Sequence, residues 1–235
     1  MGKDSRRQFD AKTAISKAYD RALVLQQPIA EKNVARLRRV HPEKTPAELI
    51  KDINRWYLGV VSTSGAGAGA AAVVPNGIAQ VPVALADLAT YMEASVLYTL
   101  TVMEIHGVHV EDLERRRMLV TAVMLGNSAS TKILDGILGR TVPYWGKKIV
   151  NAIPLEAIKR VNKIMGPRFV TRWGARQGVL VLGKQIPLML GATVGGAGNG
   201  LFGWFVIKAG REILGPPPET WKDDIPPYVE GEIVD

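Results

Sequence analysis

The chain has 235 residues, of which 47% are hydrophobic and 22% charged, and its mean hydropathy is +0.06. One globular domain accommodates this length, and the mean hydropathy is too low for a protein that lies mostly within a membrane. The absence of cysteine excludes disulfides, thiolate catalysis and cysteine-ligated zinc. The charged N-terminus has no apolar segment after it, so we expect no signal peptide and a cytoplasmic location.

The first part of the chain contains three predicted helices. Apolar residues recur every three or four positions over residues 11–26, which predicts a helix that Pro28 ends. A second, short helix is predicted over residues 30–40. The sequence Thr45-Pro46-Ala47-Glu48 has the pattern of a capping box and predicts the start of a third helix. This helix is expected to continue into the glycine-rich segment 65–72.

Two charge-free stretches, residues 56–86 and 185–207, are rich in glycine and alanine. Glycine in a helix interior costs about 1 kcal/mol relative to alanine, so a helix with this many glycines needs a compensating gain. The four-residue spacing of the glycines gives a flat face that allows close backbone contact, as in a glycine zipper. We therefore predict two close-packed helices at the centre of the fold, with Gly65 and Gly195 at their crossing.

The rest of the chain is also predicted to be helical. Apolar periodicity and helix-capping signals indicate helices over residues 83–106, 111–125, 128–139, 147–153 and 154–165. Gly166-Pro167 is expected to end the last of these. No segment shows the alternating pattern of a strand, so the predicted class is all-α, with about eight to ten helices. Residues 1–214 are predicted to form one helical domain, followed by a proline-rich acidic tail over residues 215–235.

The segment 140–184 is strongly basic, because it contains ten basic residues and only one acidic residue, Glu156. Such a density indicates an anionic partner. Three arginines in this segment are spaced by one helical turn and predict a basic stripe on one helical face: Arg168, Arg172 and Arg176. Three aromatic residues are expected to lie beside this stripe: Trp145, Phe169 and Trp173.

Asp87 and Glu93 are the only charged residues between Arg55 and Glu104. A carboxylate in such an apolar setting must be paired, protonated or part of a site. One interpretation is a structural ion pair with the basic segment, and Arg176 is the first candidate partner of Asp87. The other is a ligand-binding or catalytic pocket formed by Asp87, Glu93 and the arginines.

Several short motifs resemble enzyme signatures without the setting that the chemistry needs. Residues 65–70 fit a dinucleotide-binding pattern, but a helix and not a strand is predicted to lead into them. Residues 178–184 imitate a phosphate-binding loop, but Gln185 stands where a Mg²⁺-binding hydroxyl is required. Ser128 lacks the closing glycine of a nucleophile elbow. The sequence therefore predicts no cofactor and favours a non-catalytic role over an enzyme.

His106 and His109, with Glu104 and Glu111 nearby, are the residues closest in type to a metal site. Their spacing would allow shared ligation only if the helix continued through Gly107 or the loop folded back. We interpret them as histidines at a helix end and predict no metal ion.

Five blocks of the sequence, in order, resemble the EcsC protein family. The resemblance covers nearly the whole chain outside the first dozen residues and the tail. The five blocks are HPEKTPAELI, GAGAGAAAVVPNGIAQVPVALADLATY, HGVHVEDLERRRMLV, VNKIMGPRFVTRWGARQGVLVLGKQIPLMLGATVGGAGN and AGREILGPPPETW. The family takes its name from the third gene of a bacterial ABC-exporter operon. The resemblance therefore implies a helical cytoplasmic protein associated with export or envelope functions. It implies no reaction and no catalytic residues.

Two classes of function remain. In the first, the protein associates peripherally with an anionic membrane surface or a membrane-protein partner through its basic surface. In the second, it is an enzyme or a small-ligand-binding protein with a pocket near Asp87, Glu93 and Arg176. Nucleic-acid binding would suit the charge, but the sequence contains no recognisable nucleic-acid-binding motif. The first class is the one that the sequence favours.

Overall fold

A computed structural model shows an all-α protein, which confirms the predicted class. The described backbone comprises residues 3–71, 77–126, 132–134, 136, 147–176 and 191–221, and side chains are described at 12–63, 89–126, 132–134, 136, 150–171 and 200–221. These ranges contain no strand, and seven helices have described bounds: α1 (Lys3–Val40), α2 (Pro46–Ala71), α3 (Gly77–Ile105), α4 (Leu113–Leu125), α5 (Lys147–Ala152), α6 (Leu155–Arg176) and α7 (Gly191–Leu214). The described residues 132–134 and 136 are also helical.

Helix α1 is continuous through Pro28, so the prediction that this proline ends a helix was wrong. Pro28 and Val24 both lie on the exposed side of the helix. The carbonyl that loses its hydrogen bond to the proline therefore faces water, which reduces the cost of the interruption. Buried residues before and after the proline, such as Leu23 and Ala30, hold both halves against the same core.

The capping box at the start of α2 is present. The Thr45 backbone N–H donates to Glu48 Oε2 at 2.9 Å, and the Glu48 N–H donates to Thr45 Oγ1 at 3.3 Å. The helix then runs without interruption through the glycine-rich segment to Ala71. A dinucleotide-binding loop needs a strand before the glycines, so this continuous helix removes the setting for that motif.

The capping box predicts that the stability of the protein depends on pH through the ionisation of Glu48. Hydrogen bonds from the Thr45 backbone N–H and hydroxyl hold the pKa of the Glu48 carboxyl below its ordinary value of 4.5. Since the folded pKa is the lower one, the stabilisation is present above pH 4.5 and is lost as the pH falls through the folded pKa. Glu48→Gln caps the helix without titrating. In urea unfolding at successive pH values, the difference in stability between wild type and variant should stay constant above about pH 5.5 and shrink below 4.5. A difference that stays constant down to pH 3 would contradict this account.

Helix α4 lies at the centre of the described core. All eight residues from Met118 to Leu125 are buried, so this helix is enclosed on every side. The predicted C-terminal end is confirmed, because Gly126 ends the helix with φ 84°. The helix begins at Leu113, two residues after the predicted start, and the Asp112 carboxylate caps it by accepting from the Arg115 N–H at 2.9 Å. The helix packs against α6 and α7 and also touches α1 and α3.

Helix α6 passes through Gly166-Pro167, so the predicted end at this pair was also wrong. Pro167 is exposed, as is Lys163, whose carbonyl is the one left without a helical hydrogen bond. Met165 and Phe169 are fully buried on the opposite side of the helix. Their packing holds the helix continuous where local propensity predicts a break.

Helices α2 and α7 run antiparallel and pack closely. A Cβ added at Gly200 would lie 2.8 Å from Ser62 Oγ, and one added at Gly203 would lie 2.8 Å from Val61 Cγ2. Both glycines therefore allow a contact that a side chain would obstruct. The predicted crossing at Gly65 and Gly195 lies outside the described side chains and stays a prediction.

The remaining helices differ from the predictions at their ends. Helix α3 begins at Gly77, earlier than the predicted residue 83, and of the predicted helix 128–139 the described residues 132–134 and 136 are helical. Helix α7 ends at Gly215, whose φ of 87° and N–H bond to the Arg211 carbonyl turn the chain away. Within the described ranges, no helix combines the length and hydrophobicity needed to span a bilayer.

The first residues of the predicted tail contact the helical domain. Trp221 donates from Nε1 to the Lys44 carbonyl at 3.1 Å, and the Arg38 guanidinium lies 4.5 Å from the centre of the Trp221 ring. Residues 215–221 therefore cross the start of α2, and this crossing shapes the cleft described below. Residues 222–235 lie outside the described residues.

Candidate anion-binding surfaces

The residues predicted from sequence to form a site are only partly described. Arg168 is exposed on α6, and Glu93 is exposed on α3. The side chains of Asp87, Arg172 and Arg176 lie outside the described residues, as does the proposed pairing of Asp87 with Arg176. Glu93 forms no ion pair with any described residue, so the structural ion pair expected for it is not found in that part of the chain.

The exposed side of α6 carries four cations, which we call the α6 basic face: Lys159, Arg160, Lys163 and Arg168. None of them forms an ion pair or a side-chain hydrogen bond within the described part of the chain. The opposite side of the helix is buried through Ile158, Val161, Met165 and Phe169. The fold therefore uses one side of α6 for packing and leaves the charges of the other side available to a partner.

Phe169 lies in the core and not on the surface beside the basic stripe, so this prediction was wrong. It is 0% exposed, and its ring packs against Tyr19 of α1 with the ring centres 4.5 Å apart. Residues 168 and 169 are neighbours on a helix and point about 100° apart, so the exposure of Arg168 places Phe169 towards the core. The other two aromatic residues of that prediction, Trp145 and Trp173, lie outside the described side chains.

A second basic cluster, Arg115 to Arg117, holds the fold together. Arg115 donates to the carbonyls of Val150 and Ile153, which end α5. Arg116 donates to the carbonyls of Val110, Leu23 and Glu111. Arg117 pairs with Asp20 of α1 at 3.1 Å.

These contacts divide the described basic residues into those that hold the fold together and those that are exposed. A guanidinium that satisfies buried carbonyls is part of the fold and is not available to an anionic ligand. Burial also lowers the pKa of Arg116, but a guanidinium remains charged at physiological pH. The sequence did not separate these arginines from those of the α6 basic face, since their acceptors lie far away in the chain.

His109 lies between two carboxylates. Its Nδ1 is 3.1 Å from Glu104 Oε2 and 3.6 Å from Glu31 Oε1, which joins the end of α3 to α1. Glu31 also accepts from Gln27 Nε2 at 2.7 Å. In the described residues, no group of three or more His, Cys, Asp or Glu side chains is arranged to hold a metal ion. We therefore interpret His109 as a bridge between two helices.

A cleft of about 440 Å³ lies where the start of α2 meets the end of α7. Its lining comprises Ala47, Ile50, Lys51, Asn54, Arg211, Gly215, Pro216 and Pro217. The α2 residues among these recur every three or four positions and so share one helical face. The sequence analysis missed this cleft, because it depends on the antiparallel packing of two helices about 160 residues apart.

An exposed apolar patch lies on α7. Leu201, Trp204 and Phe205 are each between 41% and 54% exposed, and Lys208 Nζ lies 5.6 Å from the Trp204 ring centre. The rings of Trp204 and Phe205 contact each other edge to face. This patch is the exposed side of the helix that contacts α2 through Gly200 and Gly203.

Comparison with known proteins identifies no relative of this chain. No protein-family model matches the chain, and no curated protein or solved structure is significantly similar to it. The resemblance to the EcsC family therefore stays a prediction from the sequence blocks.

Proposed function

We propose that this protein is a non-catalytic cytoplasmic protein that associates peripherally with an anionic membrane surface through the α6 basic face. The observation that carries the proposal is the exposure of Lys159, Arg160, Lys163 and Arg168 without an ion-pair partner in the described part of the chain. The nearby acidic residue Glu156 lies in the first turn of the same helix, where the helix dipole favours a negative charge. The predicted bacterial export context agrees with a position at the membrane.

The expected affinity is weak and depends on salt. Each Lys or Arg near an anionic surface contributes about 1 kcal/mol, so four of them supply about 4 kcal/mol, which corresponds to a millimolar affinity. The Debye length falls from about 8 Å at physiological ionic strength to about 3 Å at 1 M, so high salt should release the protein. Reversible association of this kind suits a peripheral component that also contacts a membrane-protein partner.

The alternative function, an enzyme or small-ligand protein with a pocket at Asp87, Glu93 and Arg176, has less support. Of these three side chains only that of Glu93 is described, and it is exposed. An exposed carboxylate does not line an enclosed pocket, which a small-ligand or catalytic site requires.

Vesicle flotation tests the proposed function. The wild-type protein should float with vesicles that contain phosphatidylglycerol, should not float with neutral phosphatidylcholine vesicles, and should be released by high salt. The triple variant Lys159→Gln, Lys163→Gln, Arg168→Gln removes three of the four charges and should bind more than about tenfold more weakly. Its thermal stability should equal that of the wild type, because these side chains are exposed and make no ion pair or side-chain hydrogen bond with a described residue.

The matched control removes three charges elsewhere on the surface. Lys17, Lys32 and Lys132 are exposed, and none forms an ion pair within the described residues. Their replacement by glutamine changes the net charge by the same amount and should leave flotation largely intact. Equal loss in both triple variants would show that net charge and not the α6 basic face is responsible. A wild-type protein that ignores anionic vesicles at low salt would refute membrane binding and favour a protein partner.

A further inference from the structure

We propose that the cleft between α2 and α7 binds a small organic anion, with a carboxylate or phosphate group held by Lys51, Asn54 and Arg211 and an apolar body packed on the proline wall. The cleft does not belong to the α6 basic face, and this binding site does not depend on the proposed membrane role. Its volume of about 440 Å³ lies within the usual range for small-molecule sites.

Asn54 supplies the most specific observation. Its side chain is only 7% exposed, and its Oδ1 accepts a hydrogen bond from the Tyr98 hydroxyl at 2.7 Å. Nδ2 donates no hydrogen bond within the described part of the chain, and the residue lines the cleft. With Oδ1 held by Tyr98, the Nδ2 donor stays open to a ligand in the cleft, and the burial of the residue keeps the amide in place.

Tyr98 holds this amide in one orientation. Burial raises the pKa of Tyr98 well above its ordinary value of 10.0, and the nearby Arg211 charge offsets part of that rise. The hydroxyl is therefore protonated at every physiological pH and donates to Asn54 Oδ1. The Asn54 NH₂ group is directed away from Tyr98 as a consequence.

Two cations lie at the same cleft without a described counter-ion. Lys51 and Arg211 are exposed, and neither forms an ion pair within the described residues. The neighbouring carboxylates of α2 are already engaged, since Glu48 accepts from Thr45, and Asp52 pairs with Lys44 at 2.7 Å. The residues that line the cleft therefore include three side-chain donors and no carboxylate, and two of these donors carry positive charge. The one side-chain acceptor, Asn54 Oδ1, is already bound by Tyr98.

The helix dipoles do not reverse the preference of the cleft for an anion. The cleft lies beside the N-terminus of α2 and the C-terminus of α7, whose partial charges are opposite in sign and similar in size. Their effects on a bound group largely cancel, so the side-chain charges decide which ligand is favoured.

The rest of the cleft is apolar. Its apolar lining comes from Ala47 and Ile50 of α2 and from Pro216 and Pro217, which follow α7 and which we call the proline wall. The left-handed conformation of Gly215 sets the position of the proline wall, because it turns the chain back across α2 after the last turn of α7. A ligand with both a negative group and a short apolar body matches this combination better than an inorganic ion does.

Nuclear magnetic resonance tests the site on the full chain, with hexanoate and hexyl phosphate as probes and hexanol and inorganic phosphate as controls. Either organic anion should shift the Asn54 side-chain amide resonances, while hexanol and inorganic phosphate should bind at least about tenfold more weakly. The double variant Lys51→Gln, Arg211→Gln should weaken binding of the organic anions by about tenfold or more. Both replaced side chains are exposed, so the variant should keep the wild-type fold.

The triple variant of the α6 basic face serves as the control for general electrostatic attraction, and it should bind the probes as the wild type does. No shift of the Asn54 amide at about 20 mM of either organic anion would overturn the proposal. Equal binding by the double variant and the wild type would also overturn it. If inorganic phosphate binds as well as hexyl phosphate, the assignment of an organic ligand is wrong.

Discussion

Replacement of Gly203 by leucine is expected to lower the free energy of unfolding by about 3 kcal/mol, measured by urea denaturation. A Cβ at this position would lie 2.8 Å from Val61 Cγ2 and 3.1 Å from Leu58 Cδ2. Val61 is 0% exposed and β-branched, so it cannot rotate away without disturbing the core. The two helices would have to separate, and α2 and α7 would lose packing along their shared face.

Two other glycines provide matched controls on the same pair of helices. At Gly200 the nearest atom to an added Cβ is Ser62 Oγ, which can rotate, so Gly200→Ala should have a small effect. At Gly59 no atom lies within 4 Å of an added Cβ, and Gly59→Ala should stabilise the protein by about 0.5–1 kcal/mol through helix propensity. The free energy of unfolding should therefore rise in Gly59→Ala, change little in Gly200→Ala and fall strongly in Gly203→Leu. If Gly203→Leu leaves stability unchanged, the close contact between α2 and α7 is not a determinant of the fold.

The same reasoning extends to the glycines predicted from sequence. Gly65→Leu and Gly195→Leu should each destabilise the protein by overpacking if the two helices remain in contact along their full length. Loss of stability at Gly203 together with unchanged stability at Gly65 and Gly195 would confine the contact to the described part of the pair. Thermal denaturation of the three leucine variants separates these cases.

Local chemistry made some parts of the fold predictable from the sequence. The caps at Thr45 and Asp112 depend on side chains within three residues of the backbone groups that they satisfy. The breaks expected at Pro28 and Gly166-Pro167 did not occur, because core packing on both sides of each proline outweighs a local loss of about 3 kcal/mol. Local patterns thus predicted capped helix termini better than breaks at prolines.

The candidate sites were less predictable, for a physical reason. Whether a cation is free or occupied depends on acceptors that lie elsewhere in the chain. Arg116 and Arg168 look alike in sequence, yet the first binds the Leu23 carbonyl 93 residues away while the second is exposed. The α2–α7 cleft was not predicted for the same reason, because Asn54 and Arg211 come together only through helix packing.

Arg116→Met should destabilise the protein by about 3 kcal/mol, because the variant loses charge-assisted hydrogen bonds from the guanidinium to partly buried carbonyl groups. The wild-type side chain donates from Nε and Nη2 to the Val110 carbonyl at 3.1 and 3.0 Å, and from Nη1 to the Leu23 carbonyl at 3.2 Å. These bonds join α1 to the loop before α4. Methionine fills similar space but donates no hydrogen bond, so urea denaturation should report the loss directly.

The matched control is Arg168→Gln, which removes the same charge from an exposed position. This variant should keep the wild-type stability and lose part of the binding to anionic vesicles, whereas Arg116→Lys should remain destabilised although its charge is conserved. Lysine lacks the planar arrangement of donors that lets one guanidinium bind several carbonyls. If Arg116→Lys restores full stability, the charge and not the hydrogen-bond geometry is what matters at this position. If Arg168→Gln is as unstable as Arg116→Met, the division between structural and available arginines is wrong, and the membrane proposal loses the observation that carries it.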